Sequence, residues 1–332
     1  MNNSDLIVKM LKDAGVTHGF GIPSGNVLPF IEAMREGGIE YVLTAHEGSA
    51  SFAADVVGRA TGVPGLCIAT LGPGATNLST GVGSAYLDRS PMIAITCNLN
   101  SSLLDRRIQM MIDHHALFAP ITKATFAARP DNVAEVMADA IRIALEEPQG
   151  PVHIDLPEDV SLAPAAENGE PLSTTPRAQN TAPAEQIDAA ANIIAGARRP
   201  IVVVGTSAMR MGTPSLLKDF VERQGIPFAA TTMAKGMIDD DHPLGIGCIE
   251  RARRQVQRQF IQGCDLIIGL GYDTVEVEYE AWVGNVPVLS IDIEAPDVVD
   301  PVDLAGAVVG DLDDALTRLN ALPPGDNDWT AE

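Results

Sequence analysis

Glu47 stands between an apolar stretch, residues 39–45, and a run of small residues, 48–61, that reads GSASFAADVVGRAT. The first pattern predicts a buried strand and the second a helix packed tightly against it, so the carboxyl falls on a strand-to-helix turn. In open α/β sheets such turns lie at the carboxyl edge, where ligands collect, and an acid there is placed for proton transfer or for hydrogen bonding to a ligand. The plainer alternative is an acid that complements a helix dipole. The next unit repeats the layout: a strand over 65–70, the turn Leu71-Gly72-Pro73-Gly74, and a helix opened by Ala75-Thr76-Asn77. Glycines in such a turn let backbone N–H groups approach a flat or anionic ligand, although an ordinary capped turn uses the same residues.

Two further groups can do chemistry. Asp113-His114-His115 offers imidazoles that titrate near neutrality and can move protons near a substrate carboxylate. Adjacent side chains diverge, so one of the pair is expected to face a site, and a surface or structural role is the alternative. The run Arg251-Ala252-Arg253-Arg254, with Arg258 beyond it, reads as a solvated face or as a contact to a nucleotide or partner. His46, next to Glu47, is expected to point away from the pocket.

These groups need a scaffold, and the hydrophobic pattern supplies one. A helix over 4–14 capped by Ser4, a strand over 17–22, the loop Pro23-Ser24-Gly25 and a helix over 27–35 lead into the two units above. A strand over 91–97, an irregular polar stretch over 98–115, a strand over 121–127, a helix over 131–146 and a strand over 151–156 follow. This alternation predicts a parallel sheet. Residues 161–183 hold four prolines and almost no large apolar side chains, a linker composition. The alternation then restarts, with helices over 184–197, 214–224, 251–262 and 312–322 and strands over 200–205, 227–231, 265–271 and 286–291. The fold class is therefore α/β, with two doubly wound parallel-sheet domains.

Composition limits the partners. A chain of 332 residues with 46% hydrophobic content exceeds one core, in keeping with two domains. The net charge of −22 argues against nucleic acid or an anionic membrane as the main partner. Cys67, Cys97, Cys248 and Cys264 form no Cys-x-x-Cys pair and read as reduced core residues of a cytoplasmic protein. The N-terminus lacks a basic n-region and no apolar run is long enough to span a bilayer.

The segments Gly19-Phe20-Gly21-Ile22-Pro23, Ala45-His46-Glu47-Gly48, Arg59-Ala60-Thr61-Gly62, Leu71-Gly72-Pro73-Gly74-Ala75-Thr76-Asn77, Pro120-Ile121-Thr122-Lys123 and Gly150-Pro151-Val152 keep an unbroken order and spacing. In this set the chain resembles thiamine diphosphate-dependent enzymes of the acetolactate synthase and pyruvate oxidase group. The resemblance continues through Pro200-Ile201-Val202-Val203-Val204-Gly205, Gly225-Ile226-Pro227 and Asp241-His242-Pro243-Leu244-Gly245. It implies a pyrimidine-binding domain over 1–160, a linker over 161–183 and a Rossmann-like central domain over 184–325. It also implies that Glu47 hydrogen-bonds N1′ of the cofactor's aminopyrimidine and favours the imino tautomer, whose neighbouring nitrogen removes the thiazolium C2 proton. Pro23, Gly25, Gly72, Pro73, Gly74 and Asn77 would line the pyrimidine pocket, with His114 and His115 as catalytic candidates. Met110 replaces the family's Gln in this segment, with Gln109 beside it, which counts against the carboligation that forms acetolactate. The segment Gly271-Tyr272-Asp273-Thr274-Val275-Glu276 is closer to the flavin-free members, so no FAD is expected.

In the family, Mg²⁺ and the diphosphate are held by a third domain with a Gly-Asp-Gly motif and a later Asn. Gly310-Asp311-Leu312 and Gly325-Asp326-Asn327 lack the second glycine. The expectation is a subunit of a split 2-oxo acid decarboxylase or carboligase, with no metal ligands of its own. A partner chain would carry the diphosphate- and Mg²⁺-binding domain, in a homodimer or a larger hetero-oligomer. The rival readings are a catalytically idle binding or regulatory module and a truncated form of a single-chain synthase.

Overall fold

The computed structural model describes residues 1–166, 172–249 and 254–329. The Arg251-Ala252-Arg253 run lies outside them. The chain divides into two compact units, Met1–Ala178 and Gln179–Glu332.

The first unit runs α1 (Asn3–Asp13), β1 (His18–Gly21), α2 (Leu28–Gly37), β2 (Glu40–Leu43), α3 (Glu47–Thr61), β3 (Gly65–Thr70), α4 (Pro73–Leu87) and β4 (Met92–Asn98). It closes with α5 (His114–Phe118), β5 (Ala124–Ala127), α6 (Val133–Leu145), β6 (Pro151–Pro157) and α7 (Glu158–Leu162). Its six strands are parallel in the order β2-β1-β3-β4-β6-β5. One face carries a core of Ile7, Leu11, Phe30, Met34, Met137 and Ile141 from α1, α2 and α6. The other is covered by α3 and α4 through Ala50, Ala54, Leu78 and Val82. Small residues let those two helices cross closely: a Cβ on Gly81 would stand 2.3 Å from Ser51 Oγ and 2.7 Å from the Phe52 backbone nitrogen.

Three sequence expectations change here. The α1 cap is Asn2, not Ser4: the Asn2 side chain accepts from the Asp5 N–H and Asp5 accepts from the Asn2 N–H, a reciprocal capping box. Ser4 is buried instead against Ser161 of α7. Strand β2, expected to be buried, is an edge strand with Glu40 and Leu43 exposed, because it pairs only with β1. Residues 161–165 are not loose linker. Asn3 Nδ2 donates to the Val160 carbonyl at 3.0 Å, Asn3 N–H to the Ala163 carbonyl at 2.9 Å, and Asn2 bridges Pro164.

The second unit comprises α8 (Ala184–Gly196), β7 (Pro200–Val204), α9 (Ser215–Gln224), β8 (Phe228–Thr231), β9 (Gly245–Ile249), α10 (Arg254–Ile261), β10 (Leu266–Leu270), β11 (Val288–Asp292), β12 (Leu304–Val309) and α11 (Leu312–Asn320). Its parallel order is β12-β11-β10-β7-β8-β9. Both edge strands, β9 and β12, escape the hydrophobic pattern. Gly-Ile-Gly-Cys-Ile and Leu-Ala-Gly-Ala-Val-Val are rich in Gly and Ala and half-exposed, so neither reads as a buried run. Cys248, expected in the core, lies in β9 and is half-buried, while Cys67, Cys97 and Cys264 are buried, and all four are free thiols. Among the described residues no helix is long and apolar enough to cross a membrane.

Candidate active site

The first unit brings Glu47, Gly74 and Asn77 together at the carboxyl edge of its sheet. Glu47 is the first residue of α3, after the cap His46, whose Nδ1 accepts the Gly48 N–H at 3.0 Å. That bond uses His46 as a cap and leaves it exposed. Glu47 is 9% exposed, and Asn77, one turn into α4, donates from Nδ2 to its Oε2 at 3.0 Å. The other carboxylate oxygen lies beside Gly74, where an added Cβ would stand 3.4 Å from Oε1 and 2.8 Å from Thr70 Cγ2. The missing side chain lets the start of α4 lie close against Thr70 and the carboxyl. The buried Tyr41 hydroxyl, 3.1 Å from where a Cβ on Gly21 would stand, has no hydrogen-bond partner among the described residues. Buried polar atoms are rarely left unpaired, so this one fits a ligand atom at the same edge.

Gly72 behaves differently from expectation. Its N–H does not face an open crevice but donates to His114 Nε2 at 3.2 Å. It takes φ +60°, and a Cβ there would lie 2.3 Å from the Met110 carbonyl oxygen. Met110 itself has φ +65°. Pro73 starts α4 at the position where a missing N–H costs nothing. Pro23 and Gly25 are exposed on the loop after β1, and Gly25 has open space where a Cβ would go. Asn26, which sequence reading passed over, ties this loop to the site by accepting from Thr70 Oγ1 at 2.7 Å and donating to the Cys97 carbonyl at 2.5 Å.

Both histidines reach one cavity of about 820 Å³, which they line with Arg106, Arg107, Arg129 and Asp155. Asp105 and Asp113 line it as well. Asp113 caps α5, its Oδ1 accepting the Ala116 N–H at 2.9 Å, and so aims the pair. His114 is buried and its Nδ1 meets Asp155 Oδ1 at 2.9 Å, while half-buried His115 meets Thr125 Oγ1 from Nδ1 at 2.8 Å.

Sequence reading missed the residues behind them. Thr96 pairs in register with Asp155, and Thr125 with His153, so β4, β5 and β6 bring these side chains together. His153 is fully buried, stacked on Phe118 with ring centroids 4.2 Å apart, and burial pushes its imidazole down to about 3. Burial also acts to raise the Asp155 carboxyl, but hydrogen bonds from His114 and Asn98 hold it below the usual carboxylate range. The available signal was the His-x-Asp spacing inside an apolar strand, which puts two polar side chains on one face.

The second unit has its own crevice where the chain direction switches between β7 and β10. It is filled by the protein. A Cβ on Gly205 would stand 2.5 Å from Tyr272 Cα; Thr206 N–H donates to Glu276 Oε1 at 2.8 Å and Ser207 Oγ to Asp292 Oδ2 at 3.4 Å. Burial pushes both Glu276 and Asp292 up to about 7.

Residues 1–117 match the thiamine pyrophosphate enzyme N-terminal TPP binding domain, and residues 187–319 match the central domain of the same enzymes. The chain belongs to the thiamine pyrophosphate enzyme family. It is 34% identical over 330 residues to a protein named probable acetolactate synthase large subunit from Methanocaldococcus jannaschii, covering 97% of this chain and 56% of that one. Acetolactate synthase isozyme 2 large subunit of Escherichia coli is 31% identical over 333 residues, covering 99% of this chain and 60% of the relative. The chain thus spans little more than half the length of these curated relatives.

Proposed function

We propose that this chain supplies the pyrimidine half of a thiamine diphosphate site to an acetolactate synthase-like decarboxylase or carboligase acting on a 2-oxo acid. The observation that carries the reading is the buried Glu47 carboxyl at the ligand edge, held at Oε2 by Asn77, with Oε1 beside Gly74 and taking no hydrogen bond among the described residues. When bound, thiamine diphosphate supplies the electron sink that makes loss of CO₂ from a 2-oxo acid feasible. Glu47 holds a proton at the aminopyrimidine N1′, Gly74 lets the α4 backbone approach Thr70 and the carboxyl closely, and Asn77 fixes the carboxyl. Pro23 and Gly25 border the same edge.

The cavity beside His114 and His115 suits the substrate. Arg106, Arg107 and Arg129 gather on its wall in a chain with twice as many acidic as basic residues, and guanidinium groups recognise carboxylates. The second-unit crevice supports a protein without FAD, since the backbones of Gly205 and Tyr272 close upon it and its Thr206 N–H and Ser207 hydroxyl are taken by Glu276 and Asp292.

In this reading the diphosphate and its Mg²⁺ are held by a partner chain. Leu43, Phe52 and Val56 are exposed, with Phe52 and Val56 one turn apart on α3, and offer the partner an apolar surface. Co-expression with a chain carrying the Gly-Asp-Gly motif should yield a stable complex with Mg²⁺-dependent decarboxylase activity on a 2-oxo acid, while the chain alone should show none. Full activity from residues 1–332 alone would overturn the two-chain reading, and no complex and no cofactor binding would favour an idle module.

A further inference from the structure

Three histidines and two threonines form one hydrogen-bonded row whose polarity is fixed at its buried end. A backbone N–H can only donate, so the Gly72 N–H makes His114 Nε2 an acceptor, and the His114 ring proton must sit on Nδ1, facing Asp155 at 2.9 Å. Asn98 donates to both oxygens of Asp155, at 3.1 and 3.0 Å. An ionised carboxylate accepts only, so the Thr96 hydroxyl, 3.2 Å from Oδ1, donates to it. Thr96 Oγ1 then accepts from His153 Nε2 at 2.8 Å. A neutral His153 keeps its lone pair on Nδ1, which accepts the Thr125 hydroxyl at 2.7 Å. Thr125 in turn accepts the Nδ1–H of His115 at 2.8 Å. The reverse polarity would withdraw a donor from the buried carboxylate.

We propose that Asp155, Thr96, His153 and Thr125 are positioning residues that hold His115 as the Nδ1–H tautomer, so that its Nε2 lone pair is the base offered to the cavity. His114, bound at both nitrogens, is a fixed neutral member of the wall and not a second base. The row thus divides an apparently equivalent pair into one working imidazole and one structural one. That division rests on the 2-oxo acid reading only for what His115 acts upon; the tautomers themselves do not need it.

The test is ¹⁵N imidazole spectroscopy of the uniformly labelled protein at pH 8, where six histidines give a countable spectrum. The large shift between a protonated and a bare ring nitrogen should report Nδ1–H for His114 and His115 and Nε2–H for His153. Thr125→Val should return His115 to the Nε2–H form that a free imidazole favours and leave His114 unchanged. Thr125→Ser should restore Nδ1–H at His115, which a merely space-filling role for Thr125 would not do. Nε2–H at His115 in the unsubstituted protein overturns the proposal outright, and so does Nδ1–H surviving in Thr125→Val. If the valine variant fails to fold, the unsubstituted spectrum and the serine variant still decide. No cofactor, partner or substrate is present in this measurement. A chain with these tautomers that binds no diphosphate-domain partner would sink the proposed function and leave the row standing.

Discussion

Asn77 on α4 donates to Glu47 at the start of α3 across 3.0 Å, and the two residues are thirty positions apart in the chain. The bond fixes which carboxylate oxygen is spoken for and which is left to a ligand. Replacing Glu47 by Gln keeps the volume and the Asn77 contact but removes the acid. Loss of one positioned acid–base group costs about 10²- to 10⁴-fold in rate. Exchange of the cofactor's C2 proton in the assembled enzyme should fall by that order with the melting temperature unchanged, and an unaltered exchange rate would refute the role.

Gly74 and Gly25 make a matched pair for the pocket. A methyl at position 74 meets Thr70 Cγ2 at 2.8 Å and must push the start of α4, with Asn77, off its place beside Glu47, whereas one at position 25 meets nothing within 4 Å. Gly74→Ala should therefore weaken thiamine diphosphate binding to the assembled enzyme by an order of magnitude or more, measured by calorimetric titration, while Gly25→Ala should bind normally. Equal affinities in the two variants would move the ring elsewhere.

Asp292 links the second unit's stability to pH. Burial raises its carboxyl from 3.8 to about 7 and that of Glu276 from 4.5 to about 7, so the folded state holds protons that the unfolded chain has released. Stability is present in full below about pH 4 and falls as pH rises towards 7. Asp292→Asn removes the cost of ionising there and keeps an acceptor for the Ile293 N–H. Denaturant melts should show a gain on the order of 2 kcal/mol at pH 8 and little change at pH 4. A gain of equal size at both would show that ionisation is not its source.

The purified complex should be colourless. Carboxyls at Glu276 and Asp292 stand in the second-unit crevice, and the backbones of Gly205 and Tyr272 close upon it. Stoichiometric flavin absorbance after purification would contradict that reading.

Pattern alone revealed most of the frame. The 3.6-residue and unbroken apolar periods located nine of the eleven helices and ten of the twelve strands, because those elements bury a face and burial leaves its mark on composition, whereas α5 and α7 are five residues each and too short to show a period. Strands β9 and β12 stayed hidden since each is an edge, built from Gly and Ala with a half-exposed surface. Glu47, Gly74 and Asn77 were legible too, as they sit on consecutive strand-to-helix turns whose place in a parallel sheet follows from order alone. The Asp155, Thr96, His153 and Thr125 row was not. It depends on the register of β4, β6 and β5, and nothing in a one-dimensional string fixes which residue of one strand stands beside which residue of another. The same holds for Gly72, whose N–H the string offers to a ligand and the fold gives to His114. Local sequence set the elements and their edges, whereas the partners of each buried polar atom were decided by strand register and the close approach of loops.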